Sequence, residues 1–265
     1  MRTSLGPWQA LIVFTATWIA VDAVFEFARD QLLGHLQVVG LRETVAVRAL
    51  FNIGIMWTMF AACALILRVR RQRLVDIGWR RTESRRAWLL AVVVAILVSG
   101  AALGSVGSSA QLLSDWSFYR ISLALVMGGS AGVCLQTIFR GFVMTQARDA
   151  GLPVVIQILL SAILFALAVA RFGWGGTPGR PNFWVLVATT ASSAILGAAL
   201  AIIYVVGRRS LAPAIFAHAA IDMIVEPGMA LFAAMGGAVV CCRVRAGGLS
   251  VVCGIHGTAN IPPEP

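Results

Sequence analysis

Apolar runs of roughly 18 to 22 residues alternate with short polar segments along most of the chain, and about 20 apolar residues let a helix cross a ~30 Å hydrocarbon core. The pattern therefore predicts an all-α fold, a polytopic transmembrane helix bundle of about seven to eight spans with a cytoplasmic amino terminus. The predicted spans are 8–25, 47–67, 87–107, 119–139, 153–171, 183–206, 210–226 and a less apolar one at 228–242.

The chain shows no internal repeat and no linker long enough to divide it, which predicts a single transmembrane domain over residues 1–242. Turn-rich polar segments such as 171–183 separate the spans. The character changes after about Val239, and residues 243–265 are predicted to form a short, disordered cytoplasmic tail. A frame change late in the gene would give a similar tail, so both origins stay open.

Composition and charge agree with a membrane protein. The 265 residues are 59% hydrophobic and 12% charged, whereas a soluble domain carries about 25% charged residues. All 21 basic residues are arginine, and many crowd between Arg68 and Arg86. The positive-inside rule places that loop in the cytoplasm, so the net charge of +10 favours membrane lipids as partners rather than nucleic acid. The lysine-free, arginine-rich composition favours a bacterial protein of the inner (plasma) membrane.

The cysteines give no sign of a metal site. Cys63 and Cys134 lie in apolar spans, where they act as small hydrophobic residues. The other three cysteines lie near the carboxyl end with His256, at spacings that match no standard zinc pattern. The sequence therefore predicts no metal and no other cofactor.

Two ionisable residues share one predicted span in the stretch SLAPAIFAHAAIDMI. His218 lies inside this span, and Asp222 lies four residues later, on the same helix face. Ionisable side chains within a membrane are costly and usually functional. The carboxylate can fix the imidazole tautomer for a general base or an oxyanion donor. A buried pair that only fixes helix packing has the same spacing, and both interpretations stay open.

Two further spans carry polar residues. Arg140, in the stretch LQTIFRGF, marks the predicted cytoplasmic end of the fourth span. Gln136 lies one turn deeper on the same face, where it can hydrogen-bond to another helix. Asp22, Glu26 and Asp30 follow one another at four-residue steps near the outer end of the first span. They form either a solvated helix end or a group of coupled carboxylates suited to proton chemistry.

Three segments, taken in order, resemble the motifs of the CPBP family, also called Abi, which comprises CAAX-type intramembrane endopeptidases and bacteriocin-immunity relatives. The family pattern Glu-Glu-x-x-x-Arg falls at LQTIFRG, residues 135–141. Its Phe-x-x-x-His falls at FALAV, residues 165–169, and its His-x-x-x-Asn/Asp falls at HAAID, residues 218–222. The segment VDIGWRR before the third span also resembles the family. The resemblance covers roughly residues 65–225.

The chain departs from the family where the chemistry lies. Leu135 and Gln136 occupy the positions of the two glutamates, and Val169 occupies that of the second histidine. The resemblance implies that the first glutamate, helped by a histidine, activates water for attack on a peptide carbonyl. Leucine cannot accept a proton, and glutamine is no useful base. The family mechanism is therefore interrupted. The motif residues that stay in place are His218, Asp222, Arg140 and Phe165. The resemblance implies a catalytic site of His218, Asp222, Arg140 and Gln136, with Phe165 and Phe139 in the substrate pocket.

Three functions fit these residues. The first is a catalytically impaired family member, a binding or immunity-type relative whose partner is a membrane-associated peptide, protein or lipid. The second is an active intramembrane protease that uses His218 as base or oxyanion donor, Asp222 to orient it, Gln136 as a donor, and an acid recruited from another span, such as Asp22 or Glu26. The third is an unrelated small transporter, although the chain lacks obvious broken-helix repeats.

Overall fold

The computed structural model describes residues 5–38, 45–105, 118–174, 183–234, 241–244 and 251–254. Helices make up nearly all of this part of the chain. In chain order they are α1 (Pro7–Val38), α2 (Val45–Val69), α3 (Arg85–Ser105), α4 (Phe118–Gln136), α5 (Met144–Asp149), α6 (Val154–Trp174), α7 (Phe183–Val206) and α8 (Ala212–Ala234). A 3₁₀ turn (Leu74–Ile77) follows α2, and a π-helix (Thr137–Val143) joins α4 to α5 without a break.

The predicted helical membrane bundle is confirmed. Within the described ranges, four helical stretches are long and apolar enough to cross a bilayer, namely Pro7–Ala28, Ala49–Val69, Ile121–Asp149 and Val187–Val206. Shorter apolar stretches lie in α6 (Val154–Val169) and α8 (Ala212–Ile224). The helices of the bundle thus follow the hydrophobic pattern of the sequence.

The end of the bundle differs from the predicted spans. Segments 210–226 and 228–242 were expected to be two spans, but α8 runs unbroken from Ala212 to Ala234. The predicted gap falls at Pro227, which lies inside this helix. A membrane helix tolerates an internal proline because neighbouring groups re-satisfy the freed backbone carbonyl.

The carboxyl-terminal tail contains two short strands. β1 (Cys241–Val244) pairs antiparallel with β2 (Val251–Gly254), and Cys242 lies opposite Cys253. Residues 243–244 and 251–254 of the predicted tail lie in these strands, where antiparallel pairing satisfies their backbone groups. The other residues of that tail, residues 175–182 of the turn-rich segment, and the amino-terminal Arg2 lie outside the described residues.

Helices α4 and α8 approach each other closely through two glycines. A Cβ atom added at Gly132 would lie 2.8 Å from the Cβ of Ala219 and 2.9 Å from the carbonyl oxygen of Ile215. One added at Gly128 would lie 2.9 Å from the backbone nitrogen of Met223. This G-x-x-x-G spacing is typical of close helix pairs in membranes. It brings the carboxyl end of α4 against the first half of α8.

The loop between α2 and α3 packs against two other elements. Gly78 adopts a left-handed φ of 107°, and its carbonyl accepts a 2.9 Å hydrogen bond from the backbone N–H of Leu211. The indole Nε1 of Trp79 donates to Thr137 Oγ1 at 3.1 Å. The VDIGWRR segment therefore joins the α7–α8 turn to the π-helix.

Candidate functional site

His218 is the centre of a buried polar cluster. It lies in the second turn of α8 and is only 3% exposed. Its Nε2 lies 3.5 Å from Oδ2 of Asp222, one turn further along the helix. The Asp222 side chain is 22% exposed, so the cluster reaches the surface of the bundle on that side. The i, i+4 spacing does place the two side chains on one face.

Gln136 occupies the other side of the imidazole. Its Nε2 lies 2.6 Å from Nδ1 of His218, across the α4–α8 contact. An amide nitrogen only donates, so Nδ1 accepts, and the neutral ring carries its proton on Nε2, facing Asp222. Both ring nitrogens are thus engaged by protein groups, and the imidazole has no free lone pair with which to deprotonate a water molecule.

Arg140 lies in the π-helix and is fully buried, which corrects its predicted place at the end of the fourth span. The helix continues past it to Asp149, so the span ends two to three turns later. The guanidinium donates from Nη2 to the carbonyl of Gly197 at 2.8 Å, and its Cζ lies 4.4 Å from the centre of the Phe165 ring. The Gly197 carbonyl and the Phe165 ring thus stabilise the buried Arg140 guanidinium, which the sequence had placed at the membrane surface.

The guanidinium of Arg140 is only partly satisfied. Its Nε and Nη1 are buried without a hydrogen-bond partner, and so is Oε1 of Gln136. The ring faces stabilise the cation, but a buried polar group without a partner costs about 1 to 3 kcal/mol, and more when charged. The cluster therefore retains both donor and acceptor capacity.

Aromatic rings connect the predicted pocket residues. Phe165 contacts His218 with ring centroids 5.5 Å apart, and Phe139 contacts Phe165 at 5.5 Å. Trp18 of α1 lies 5.3 Å from Phe139. All six predicted site residues therefore lie in one connected cluster, and α1 contributes a ring that the sequence pattern did not indicate.

Apolar packing occupies the positions where the family carries an acid and a histidine. Leu135 is 5% exposed and belongs to a buried apolar cluster that also contains Ile138, Phe139 and Phe165. Val169 packs against the same cluster. A charged group at either position would be surrounded by hydrocarbon.

The acids proposed for recruitment lie on α1. Asp22 is 3% exposed and lies one turn beyond Trp18. Within the described ranges, no three His, Cys, Asp or Glu side chains come close enough together to hold a metal ion. Asp22 and Glu26 therefore do not join His218 and Asp222 in such a group.

The π-helix itself was not predicted. It spans Thr137–Val143, and Ser161 Oγ of α6 donates to the carbonyl of Phe139 within it at 3.0 Å. π-Helical turns are rare and occur often at functional sites. Gly141 allows the neighbouring loop to approach, because a Cβ there would lie 3.1 Å from the carbonyl oxygen of Ile77. The glycine after Arg140 is the sequence signal for this contact.

The fold and the cluster together define a helical membrane protein with a buried polar site between α4, the π-helix, α6 and α8. Residues 114–224 match the family model for Rce1-like proteins, described as type II CAAX prenyl endopeptidase Rce1-like. Over these residues the chain is similar to CAAX-type intramembrane endopeptidases, and the match supports the CPBP family that its motifs predicted. The match includes all three motif segments. Neither the curated proteins nor the solved structures gave a match to this chain.

Proposed function

We propose that this protein is a catalytically impaired member of the CPBP family, which binds a membrane-associated peptide at the His218 cluster and does not hydrolyse it. One observation carries the proposal. The amide of Gln136 is hydrogen-bonded to Nδ1 of His218, and the neighbouring motif position, Leu135, is packed in hydrocarbon. No water-activating carboxylate is therefore present at either position of the first motif.

The chemistry of hydrolysis requires a base for the attacking water. Loss of a general base typically lowers the rate by about 10² to 10⁴, and loss of a group that acts as part of a unit can cost more. Asp222 contacts the imidazole but lies on its Nε2 side. In this proposal it orients His218 and does not replace the missing glutamate.

The same cluster is suited to binding. Arg140 offers two unused donor nitrogens and Gln136 one unused oxygen, which match the carbonyl and N–H groups of a peptide backbone. Phe139 and Phe165 supply apolar surface beside these groups. The partly exposed Asp222 marks the side from which a peptide would enter.

The remaining assignments are part of the same proposal. The arginine-rich, lysine-free composition supports a bacterial plasma membrane as the location, with the loop from Arg68 to Arg86 on the cytoplasmic side. Membrane lipids surround the bundle as obligatory partners. The family match gives no support to a small transporter.

Peptide hydrolysis and peptide binding in liposomes test the proposal on three forms. These are the native chain, His218→Ala, and a restored form with Leu135→Glu, Gln136→Glu and Val169→His. We expect the native chain to bind peptides without cleaving them, and the restored form to gain cleavage. Cleavage by the native chain that disappears in His218→Ala would instead establish an active protease. Val169→His alone is the matched control, since it adds a histidine without an acid and should stay silent.

A further inference from the structure

Three segments meet at one end of the bundle and form what we call the basic face, comprising residues 70–85, 148–154 and 206–212. Arg70 Nη2 lies 3.6 Å from Oδ2 of Asp149, and Gln72 donates to the same oxygen at 2.9 Å. The backbone bond from Leu211 to Gly78 attaches the α7–α8 turn to this loop. The three segments are therefore held in fixed positions relative to one another.

A cavity of about 440 Å³ lies in the basic face. Three arginines and one carboxylate line it, which leaves a net charge of +2 on the lining. The lining residues are Gln72, Val75, Asp76, Arg80, Arg148 and Arg209. None of them belongs to the His218 cluster, so this is a separate site.

The arginines of the cavity are held by other protein groups. Arg209 donates from Nη2 to Gln157 Oε1 at 2.7 Å, whereas its Nη1 is buried without a hydrogen-bond partner. Arg80 donates to the backbone carbonyl of Arg208. Arg148 contacts Asp149 through Nε and Nη2, at 3.2 and 3.0 Å. A cavity lined by three arginines is suited to an oxyanion, since guanidinium N–H groups match phosphate geometry.

Apolar side chains lie exposed on the same loop. Val75, which lines the cavity, is 54% exposed, and its neighbours Leu74 and Trp79 are 39% and 36% exposed. A tryptophan beside arginines at a helix-bundle end is typical of the membrane–water interface. Exposed hydrocarbon next to a cationic cavity fits a ligand with both an anionic headgroup and acyl chains, and basic pockets of this kind bind anionic lipid headgroups.

We propose that the cavity binds the phosphate of an anionic phospholipid, with Arg80, Arg148 and Arg209 as the donors. The acyl chains lie along Leu74 and Val75. Asp76 and Gln72 accept from hydroxyl groups of the headgroup, and the Asp76 carboxylate disfavours a second negative charge. The headgroup binds where the α2–α3 loop contacts the α7–α8 turn, so the lipid joins these two segments.

The test uses the full chain in mixed phosphatidylglycerol and phosphatidylcholine nanodiscs, with retained lipid measured by native mass spectrometry after extraction. We expect selective retention of phosphatidylglycerol. The amount of phosphatidylglycerol retained should fall about fivefold in each of the variants Arg80→Gln, Arg148→Gln and Arg209→Gln. Arg81→Gln is the matched control, because Arg81 is exposed, does not line the cavity and carries the same charge.

Each other outcome overturns the proposal. An equal loss of retained phosphatidylglycerol in Arg81→Gln would show that the lipid is attracted only by the overall positive charge of the surface. Equal retention of both lipids would remove headgroup recognition altogether. Displacement of the lipid by millimolar inorganic phosphate would assign the cavity to free phosphate. Arg148→Gln keeps the test valid if the turn variant Arg209→Gln fails to fold, since the Arg148 side chain is 44% exposed on α5.

Discussion

The Nε2 atom of Gln136 and the Nδ1 atom of His218 lie 2.6 Å apart, although the two residues are separated by 82 positions in the chain. The contact crosses the interface between α4 and α8. Asp222 lies 3.5 Å from the opposite ring nitrogen, so the imidazole is held between an amide and a carboxylate. In this arrangement the histidine is positioned by its neighbours and is not free to accept a proton from water.

The first prediction concerns the unpaired charge of Arg140. Gln136→Glu places a carboxylate one turn from Arg140, whose Nε and Nη1 have no partner. Charge-assisted hydrogen bonds contribute about 1.5 to 3 kcal/mol, whereas the lost amide donor to His218 Nδ1 costs about 1 kcal/mol, so the free energy of unfolding should rise by about 1 kcal/mol. Unfolding by denaturing detergent in mixed micelles measures the change.

Leu135→Glu is the control for this substitution. It adds the same charge one residue away, inside the apolar cluster, and should lower the free energy of unfolding because a buried carboxylate without a partner is costly. Equal changes in the free energy of unfolding for the two substitutions would contradict the finding that Nε and Nη1 of Arg140 have no hydrogen-bond partner.

The second prediction concerns the contact between α4 and α8. Gly132→Ala adds a Cβ that would meet Ala219 Cβ at 2.8 Å and the Ile215 carbonyl at 2.9 Å. The helices must separate, which should cost about 1 to 3 kcal/mol of unfolding free energy. The same shift lengthens the bond between Gln136 and His218.

Gly100→Ala in α3 is the matched substitution, because nothing lies within 4 Å of its added Cβ. Here alanine should leave stability unchanged or raise it by up to about 1 kcal/mol through its higher helix propensity. Thermal unfolding of the two variants in one detergent compares them directly. A similar loss in both would mean that the α4–α8 contact is looser than the structure shows.

The third prediction concerns the loop that joins α2 to α3. Gly78→Ala forces alanine into a φ of 107° and brings its Cβ to 2.5 Å from the carbonyl oxygen of Arg209. Conformational strain of about 1 to 2 kcal/mol adds to the clash, so the loop should leave the α7–α8 turn. Trypsin should then cut between Arg68 and Arg86 faster than in the native chain.

Gly151→Ala separates these two causes. Its φ of 80° is also left-handed, but no atom lies within 4 Å of its added Cβ. This variant should lose stability through backbone strain alone. The rate of trypsin cleavage in the α2–α3 loop should stay unchanged. Faster cleavage in this variant too would show that the loop is not held by Gly78.

The sequence predicted those features that depend on local spacing. Runs of apolar residues located the spans because a helix must satisfy its backbone within the membrane. The four-residue step from His218 to Asp222 predicted their shared face. The three motif segments indicated the family, and the match over residues 114–224 supports it.

Features that depend on distant segments could not be predicted in the same way. The burial of Arg140 depends on the Gly197 carbonyl and the Phe165 ring, which come from other helices. The local pattern of an arginine followed by glycine suggested a helix end. The G-x-x-x-G spacing of Gly128 and Gly132 was present in the sequence, but only the partner helix shows what it contacts.

The unbroken course of α8 decides on which side of the membrane the chain continues. The helix starts beside the arginine-rich loop and runs for 23 residues, about 34 Å at ~1.5 Å per residue, enough to cross the hydrocarbon core. With the loop in the cytoplasm, as its charge predicts, we expect Ala234 at the opposite face of the bilayer, so that a tail on the cytoplasmic side would require a further crossing. In that case the three carboxyl-terminal cysteines would meet oxidising rather than reducing surroundings.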